Sequence, residues 1–274
     1  MKIIYFKTFL IFFTLFYSCA STNSNTEINV LNESEKLERY NQLLSRGLQL
    51  SNVNENQSAM EVYSEAIRLL PERSEAYYRR SVNYYLWNSY PPKIELAIND
   101  ITSAIKYDPR NADYFVLRGD LYFRYSSEYP ISNIGRMSLE EYRNREYSYY
   151  LSNMNKAISD YSTAIRLDTR NYEYYFKRGG LYLFIKDWNK AIVDLTVVIE
   201  NIDINRLDNW NIRHAYEYSY RYRGMAYYQI GRVDLATNDF RMYSELSGRE
   251  YTINDYITQE EREAEQNRQL GKIR

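Results

Sequence analysis

Between residues 40 and 250 apolar and polar positions alternate with helical spacing, and a longer period is laid over that pattern. Five stretches share one order. An Arg is followed by a small residue and, three positions on, by an aromatic or Leu. Then come an Ala, an aromatic or aliphatic residue four later, and usually a second Ala three after that. Arg46-Gly47 leads to Ala59, Tyr63, Ala66 and Pro71, and Arg80-Ser81 to Tyr84, Ala97, Ile101, Ala104 and Pro109. Arg118-Gly119 leads to Tyr122, Ala157, Tyr161 and Ala164; Arg178-Gly179 leads to Tyr182, Ala191, Leu195 and Val198. Arg223-Gly224 leads to Tyr227, Ala236, Phe240 and Tyr243. Residues three and four apart share a helix face, so each stretch predicts a pair of helices.

Glycine inside a helix costs about 1 kcal/mol relative to alanine, and Gly179-Gly180 places two in a row. Glycines that wrap a phosphate lie after a strand and before a helix. Here they fall within helical periodicity, which leaves close approach of two helices as their reason. Gly47, Gly119, Gly179 and Gly224, with Ser81, mark where the first helix of each pair meets the second. Ala97 and Ala191 do the same from the partner helix. An Asp recurs in register with the Arg, so Arg80 with Asp100, Arg118 with Asp160, Arg178 with Asp194, and Arg223 with Asp239 are expected to pair across the helices. The first stretch has Val62 in that slot, which leaves Arg46 without this partner. Pairs that recur once per unit are structural salt bridges, because catalysis needs one specialised site.

The pattern resembles the tetratricopeptide repeat (TPR), a helix–turn–helix unit of ~34 residues. The resemblance implies an all-α fold: a right-handed superhelical solenoid of antiparallel helix pairs, about five units long. The units run over 40–73, 74–111, 112–171, 172–205 and 217–250, with extra residues around "SYPPK" in the second and a long insertion in the third. Family members generally bind a peptide or a helix in a concave groove lined by the first helices. Carried onto this chain, the groove positions are Glu75, Tyr78, Val82 and Tyr85, then Asp113, Val116, Asp120 and Phe123, then Glu173, Phe176, Gly180 and Leu183, and last Tyr218, Arg221, Met225 and Tyr228. Members that grip a C-terminal carboxylate use Lys and Asn where this chain has Leu44 and Leu48. An aromatic groove with an acidic edge at Glu75, Asp113 and Glu173 fits an apolar or basic segment better. Covering helix packing, or a long loop, is the other role open to these rings.

The insertion opens with "SSEYPISNIG", which reads as loop, and continues with Ser138 and Glu141 at capping-box spacing. Leu139, Tyr142, Tyr149, Tyr150, Met154 and Ala157 share a helical face, so the second helix of this unit is expected to start near 139 and project beyond its neighbours. A partner contact and a family-specific decoration both fit it. Tyr216, Tyr218, Tyr220 and Tyr222 alternate as a strand would, yet Arg223-Gly224, Tyr227 and Ala236 keep the repeat register, so helix is expected there. Residues 251–274 are strongly polar and predict a solvated helix closing the array, with Asn254 or Asp255 as its cap.

Composition narrows the function. The chain holds 32 Tyr against 10 Phe and 3 Trp, which suits a thin fold where every buried hydroxyl lies near a partner or the surface. Lys and Arg (35) balance Asp and Glu (36), so nothing points to a polyanion, and nucleic acid is not expected as a partner. His214 is the single histidine and Cys19 the single cysteine, too few for a metal cluster or a nucleophile–base pair. The paired acids Glu140-Glu141 and Glu260-Glu261 lie on polar helix faces, where solvation explains them. No catalytic residue, metal, cofactor or small-molecule substrate is therefore expected.

The N-terminus gives the expected location. "MKIIYFKTFLIFFTLFYSCA" has Lys2 and Lys7 near an apolar run too short for the ~20 residues of a membrane span, as in a secretory signal peptide. "LFYSC" resembles a bacterial lipobox, although Phe16 and Tyr17 stand where Leu and a small residue are usual. The resemblance implies a signal peptide over 1–18, lipidation at Cys19, a flexible tether to residue 39, and attachment to the bacterial cell envelope. An ordinary secreted protein is the alternative. Two functions follow: an exported adaptor binding a protein or peptide, or a regulatory or assembly subunit of an envelope complex for cell-wall synthesis or outer-membrane protein assembly.

Overall fold

The computed structural model describes residues 31–86, 93–126, 139–203, 205 and 207–258, excluding the side chains of 139–143. The signal peptide, Cys19, Ser138 and the tail beyond residue 258 lie outside the described residues. The chain divides into two compact units, Met1–Asp108 and Pro109–Arg274.

The first unit holds α1 (Glu33–Asn52), α2 (Asn56–Leu69), α3 (Ser74–Leu86) and α4 (Ile94–Tyr107). The chain is helical from Glu33, inside the segment expected as tether. Asn32 Oδ1 accepts from the Glu35 amide at 3.0 Å while the Asn32 amide donates to Glu35 Oε2 at 2.8 Å, a reciprocal cap. Leu31 packs on the cluster around Tyr40 and Leu43, which fixes the entry of the helix. Between α1 and α2 the chain reverses through Asn54 at φ 61°. The buried Tyr40 hydroxyl accepts from the Ala76 amide at 3.0 Å, so one helix pair satisfies an orphan N–H at the start of the next.

The second unit holds α5 (Ala112–Ser126), α6 (Leu139–Leu167), α7 (Tyr172–Phe184), α8 (Trp188–Asn201), α9 (Trp210–Gln229) and α10 (Val233–Ser247), with further helix over 253–258. The α7–α8 and α9–α10 turns are built alike, on Lys186 at φ 61° and Gly231 at φ 78°. At 29 residues α6 is about twice the length of α8, at 14, and spans about 43 Å at 1.5 Å per residue. Its residues 144–148 are exposed, and burial begins in earnest at Asn153 and Met154.

Two boundaries in this unit differ from expectation. The fifth unit was expected from 217, yet α9 begins at Trp210, because Asn209 Oδ1 caps the amides of Asn211 and Ile212 at 3.0 and 3.3 Å, and Ala215 and Tyr216 are buried. The closing helix has Thr252, not Asn254, at its N-cap, where Thr252 Oγ1 accepts from the Asp255 amide at 3.4 Å. The expected Asp255 completes the cap from inside the helix, its Oδ2 accepting from the Thr252 amide at 2.7 Å. Nor is that helix wholly solvated, since Tyr256 is buried against Ala236 and Phe240.

Close approach of the paired helices sets the architecture. A Cβ on Gly119 would lie 2.7 Å from Tyr161 Cε1, one on Gly179 3.0 Å from Leu195 Cγ, and one on Gly224 2.8 Å from Phe240 Cε1; on Gly47 it would enter the Tyr63 ring. Ser81 fills the same slot by donating to the Ala97 carbonyl at 2.8 Å. Ala59, Ala97, Ala157, Ala191 and Ala236 on the second helices are fully buried. Contacting residues such as Gly179 and Leu195 lie at similar distances from their turn, as antiparallel pairing requires.

Bidentate ion pairs run beside four of these five contacts. Arg80 grips Asp100 at 2.7 and 2.7 Å, Arg118 grips Asp160 at 2.8 and 2.7 Å, Arg178 grips Asp194 at 2.8 and 2.7 Å, and Arg223 grips Asp239 at 2.8 and 2.9 Å. Three of these arginines also donate Nη1 to a hydroxyl on the preceding pair: Ser64 (2.8 Å), Ser162 (2.9 Å) and Thr196 (3.0 Å). One guanidinium thereby joins three helices. Arg46, opposite Val62, lies exposed.

Candidate functional site

In the first unit Tyr78 and Tyr85 lie half-buried on α3. The Arg79 guanidinium, held by Glu75 at 2.7 Å, approaches the Tyr78 ring at 5.8 Å.

In the second unit the face shared by α5 and α7 carries polar and aromatic contacts in rows. Nearest the helix starts, Tyr174 donates to Asp113 Oδ1 at 3.1 Å. Burial, and after it the Asp113 charge, pushes the Tyr174 hydroxyl up to about 12. One row on, Asp120 accepts from Lys177 Nζ at 3.0 and 3.1 Å and from the Tyr161 hydroxyl at 2.6 Å. Lys177 also lies 3.7 Å from Glu173. At the far end Phe123 and Phe184 meet at 5.6 Å between ring centroids, and both are exposed (39% and 58%). Between these rows sits Gly180, whose missing side chain would meet nothing within 4 Å.

A second aromatic tract runs along α9. Trp210, His214, Tyr218 and Tyr222 are spaced by four residues, and successive rings lie 5.1, 4.2 and 5.8 Å apart. Phe176 of α7 joins it, stacked on Tyr222 at 5.8 Å and edge-on to His214 at 5.9 Å. Leu183 packs beside it on the cluster of Ala191, Leu195 and Ala226. The histidine serves as one ring of this tract, and among the described residues no group of His, Cys, Asp or Glu is arranged to hold a metal.

The expected groove residues do not all face open space. Asp113, Phe123, Phe176 and Leu183 fall on the α5–α7 face or its border with α9. Arg221 and Tyr228 are engaged by the chain's own C-terminal segment: the Arg221 guanidinium lies 4.7 Å from the Tyr251 ring, and Tyr228 meets Tyr256 at 5.4 Å. Sequence reasoning missed this because it treated 251–274 as uniformly polar. It also missed Phe184, the Asp120–Lys177 pair, and the Trp210-to-Tyr222 tract, whose signal was the unbroken spacing of four. Ring faces, two exposed carboxylates and one ion pair can hold a partner through packing and charge.

These antiparallel pairs, closed by small residues, define a tetratricopeptide-repeat fold. No family model matches the sequence, and no curated protein matches it either. Solved structures do match. A crystal structure of MamA is similar at 18% identity over 77% of this chain and 93% of that one, with a TM-score of 0.58. The crystal structure of YrrB, a TPR protein with an unusual peptide-binding site, is similar at 17% identity over 74% of this chain and 84% of that one, with a TM-score of 0.54. At such identity the likeness concerns the fold.

Proposed function

We propose that this chain is a non-catalytic interaction scaffold that binds a peptide or helical segment of another protein along the first-helix face of its second unit. The observation that carries this reading is the exposed Phe123–Phe184 pair, two large rings from neighbouring first helices that meet each other at the surface. The description of YrrB as a TPR protein with an unusual peptide-binding site supports such a use of this fold. The N-terminal sequence supports export and a lipid anchor at Cys19, which would hold the scaffold at the bacterial envelope, as an adaptor or as the regulatory or assembly subunit of an envelope complex.

Photo-crosslinking from residue 123 or 184 in the native cell tests the binding face. A discrete adduct that disappears in Phe123→Ala/Phe184→Ala supports the reading, and adducts unchanged by that variant remove it. Palmitate labelling lost in Cys19→Ala tests the anchor; an unlabelled wild-type chain removes it.

A further inference from the structure

The two adjacent glycines of α7 have different surroundings. Gly179 is pressed on Leu195 and Asp194, so packing explains it. Gly180 faces open space, and glycine is a poor helix former, so neither packing nor propensity accounts for it. Its effect is to leave a notch. Lys177 and Phe184 lie three residues before and four after Gly180 and so share its face. Asp120 and Phe123 of α5 stand opposite, joined to them by the Asp120–Lys177 ion pair and the Phe123–Phe184 ring pair. The notch therefore has a bare backbone floor, the Asp120–Lys177 ion pair at one end and the exposed Phe123–Phe184 pair at the other.

We infer that this notch receives an arginine side chain from a basic, apolar-flanked partner segment; the inference rests on the binding face proposed above and names the chemistry of its occupant. Charge sets the sign. Asp113, Asp120 and Glu173 place three carboxylates along this face, and the ammonium of Lys177 is already shared between Asp120 and Glu173. Shape sets the residue. A guanidinium is planar, stacks on phenyl faces, and reaches a carboxylate with its N–H edge, whereas a lysine ammonium is a compact, strongly hydrated point charge. Among the described residues Asp120 Oδ2 accepts only from Lys177, at 3.1 Å, which leaves that oxygen capacity for a second donor. A side chain at residue 180 would occupy the space the arginine needs.

The test uses the full chain and three fluorescent synthetic peptides of equal length, alternating Leu with Arg, Lys or Glu, read by anisotropy. The Leu-Arg peptide should bind about tenfold more tightly than the Leu-Lys peptide, and the Leu-Glu peptide least. Gly180→Leu should reduce Leu-Arg binding to the Leu-Lys level while leaving helicity and melting midpoint unchanged or raised. Asp120→Asn should narrow the difference between the Leu-Arg and Leu-Glu peptides. Leu-Arg binding that survives Gly180→Leu but falls in Phe176→Ala overturns the notch and spares the binding face. No binding of any peptide overturns both.

Discussion

Arg178 and Asp194 meet through two nearly parallel hydrogen bonds of 2.8 and 2.7 Å, with the carboxylate side chain 4% exposed and the guanidinium also bonded to Ser162. Removing one member leaves the other charge buried without its counterion. Asp194→Ala should therefore destabilise the protein by about 3–5 kcal/mol. Replacing both, as Arg178→Met with Asp194→Leu, should recover most of that loss. Chemical denaturation of the three proteins checks it, and a double variant no more stable than Asp194→Ala would show that the pair contributes net stability.

The neighbouring glycines should respond in opposite directions. Gly179→Leu drives a side chain into Leu195 and should cost about 1–3 kcal/mol or more. Gly180→Ala adds a methyl group to open space and should stabilise by about 0.5–1 kcal/mol, by restricting the unfolded chain and improving helix propensity. Melting curves followed at the helical circular-dichroism band separate the two outcomes.

Tyr40 supplies the acceptor for the Ala76 amide, and both residues are buried. Tyr40→Phe keeps the ring and orphans the amide, so a loss of about 1–3 kcal/mol is expected. Tyr77→Phe, whose hydroxyl donates to the Pro71 carbonyl at an exposed site, should stay within about 0.5 kcal/mol of wild type. Equal losses in the two variants would mean that the buried bond to the Ala76 amide contributes no more than the exposed bond to the Pro71 carbonyl.

Alkaline pH should weaken the fold in part through Tyr174. Its hydroxyl holds its proton to about 12 in the folded chain, through burial first and Asp113 second, while an unfolded tyrosine loses its proton near ~10. Between those values the unfolded state binds fewer protons, so stability falls as pH rises from about 10 toward 12. Urea midpoints measured across that range should fall less steeply in Tyr174→Phe than in wild type. Matching slopes would exclude Tyr174 as a contributor.

The fold was legible because its determinants are local and repeated. A small residue, an Ala and an Arg–Asp pair recur at spacings that only paired helices use, so each copy reinforces the reading of the others. Boundaries were less legible. Glu33 starts a helix because Asn32 and Glu35 cap each other and Leu31 packs on the Tyr40 cluster, a combination that looks like ordinary polar tether when read residue by residue. Asn209 likewise extends α9 by two turns into a segment with no repeat signature. The hydroxyls of Ser64, Ser162 and Thr196 escaped notice because single polar residues on a helix carry no signal until a neighbouring arginine is placed beside them.

The amino-acid order alone determined that helices would pair and where they would touch, since side-chain size and helical period are properties of the chain itself. It could not decide which ring is buried and which is offered to a partner, because that depends on residues distant in sequence. Phe123 meets Phe184 at the surface, Asp120 is engaged by Lys177 and Tyr161, and Arg221 is claimed by a tyrosine thirty residues on. Tertiary packing made those assignments, and with them it left one glycine facing empty space.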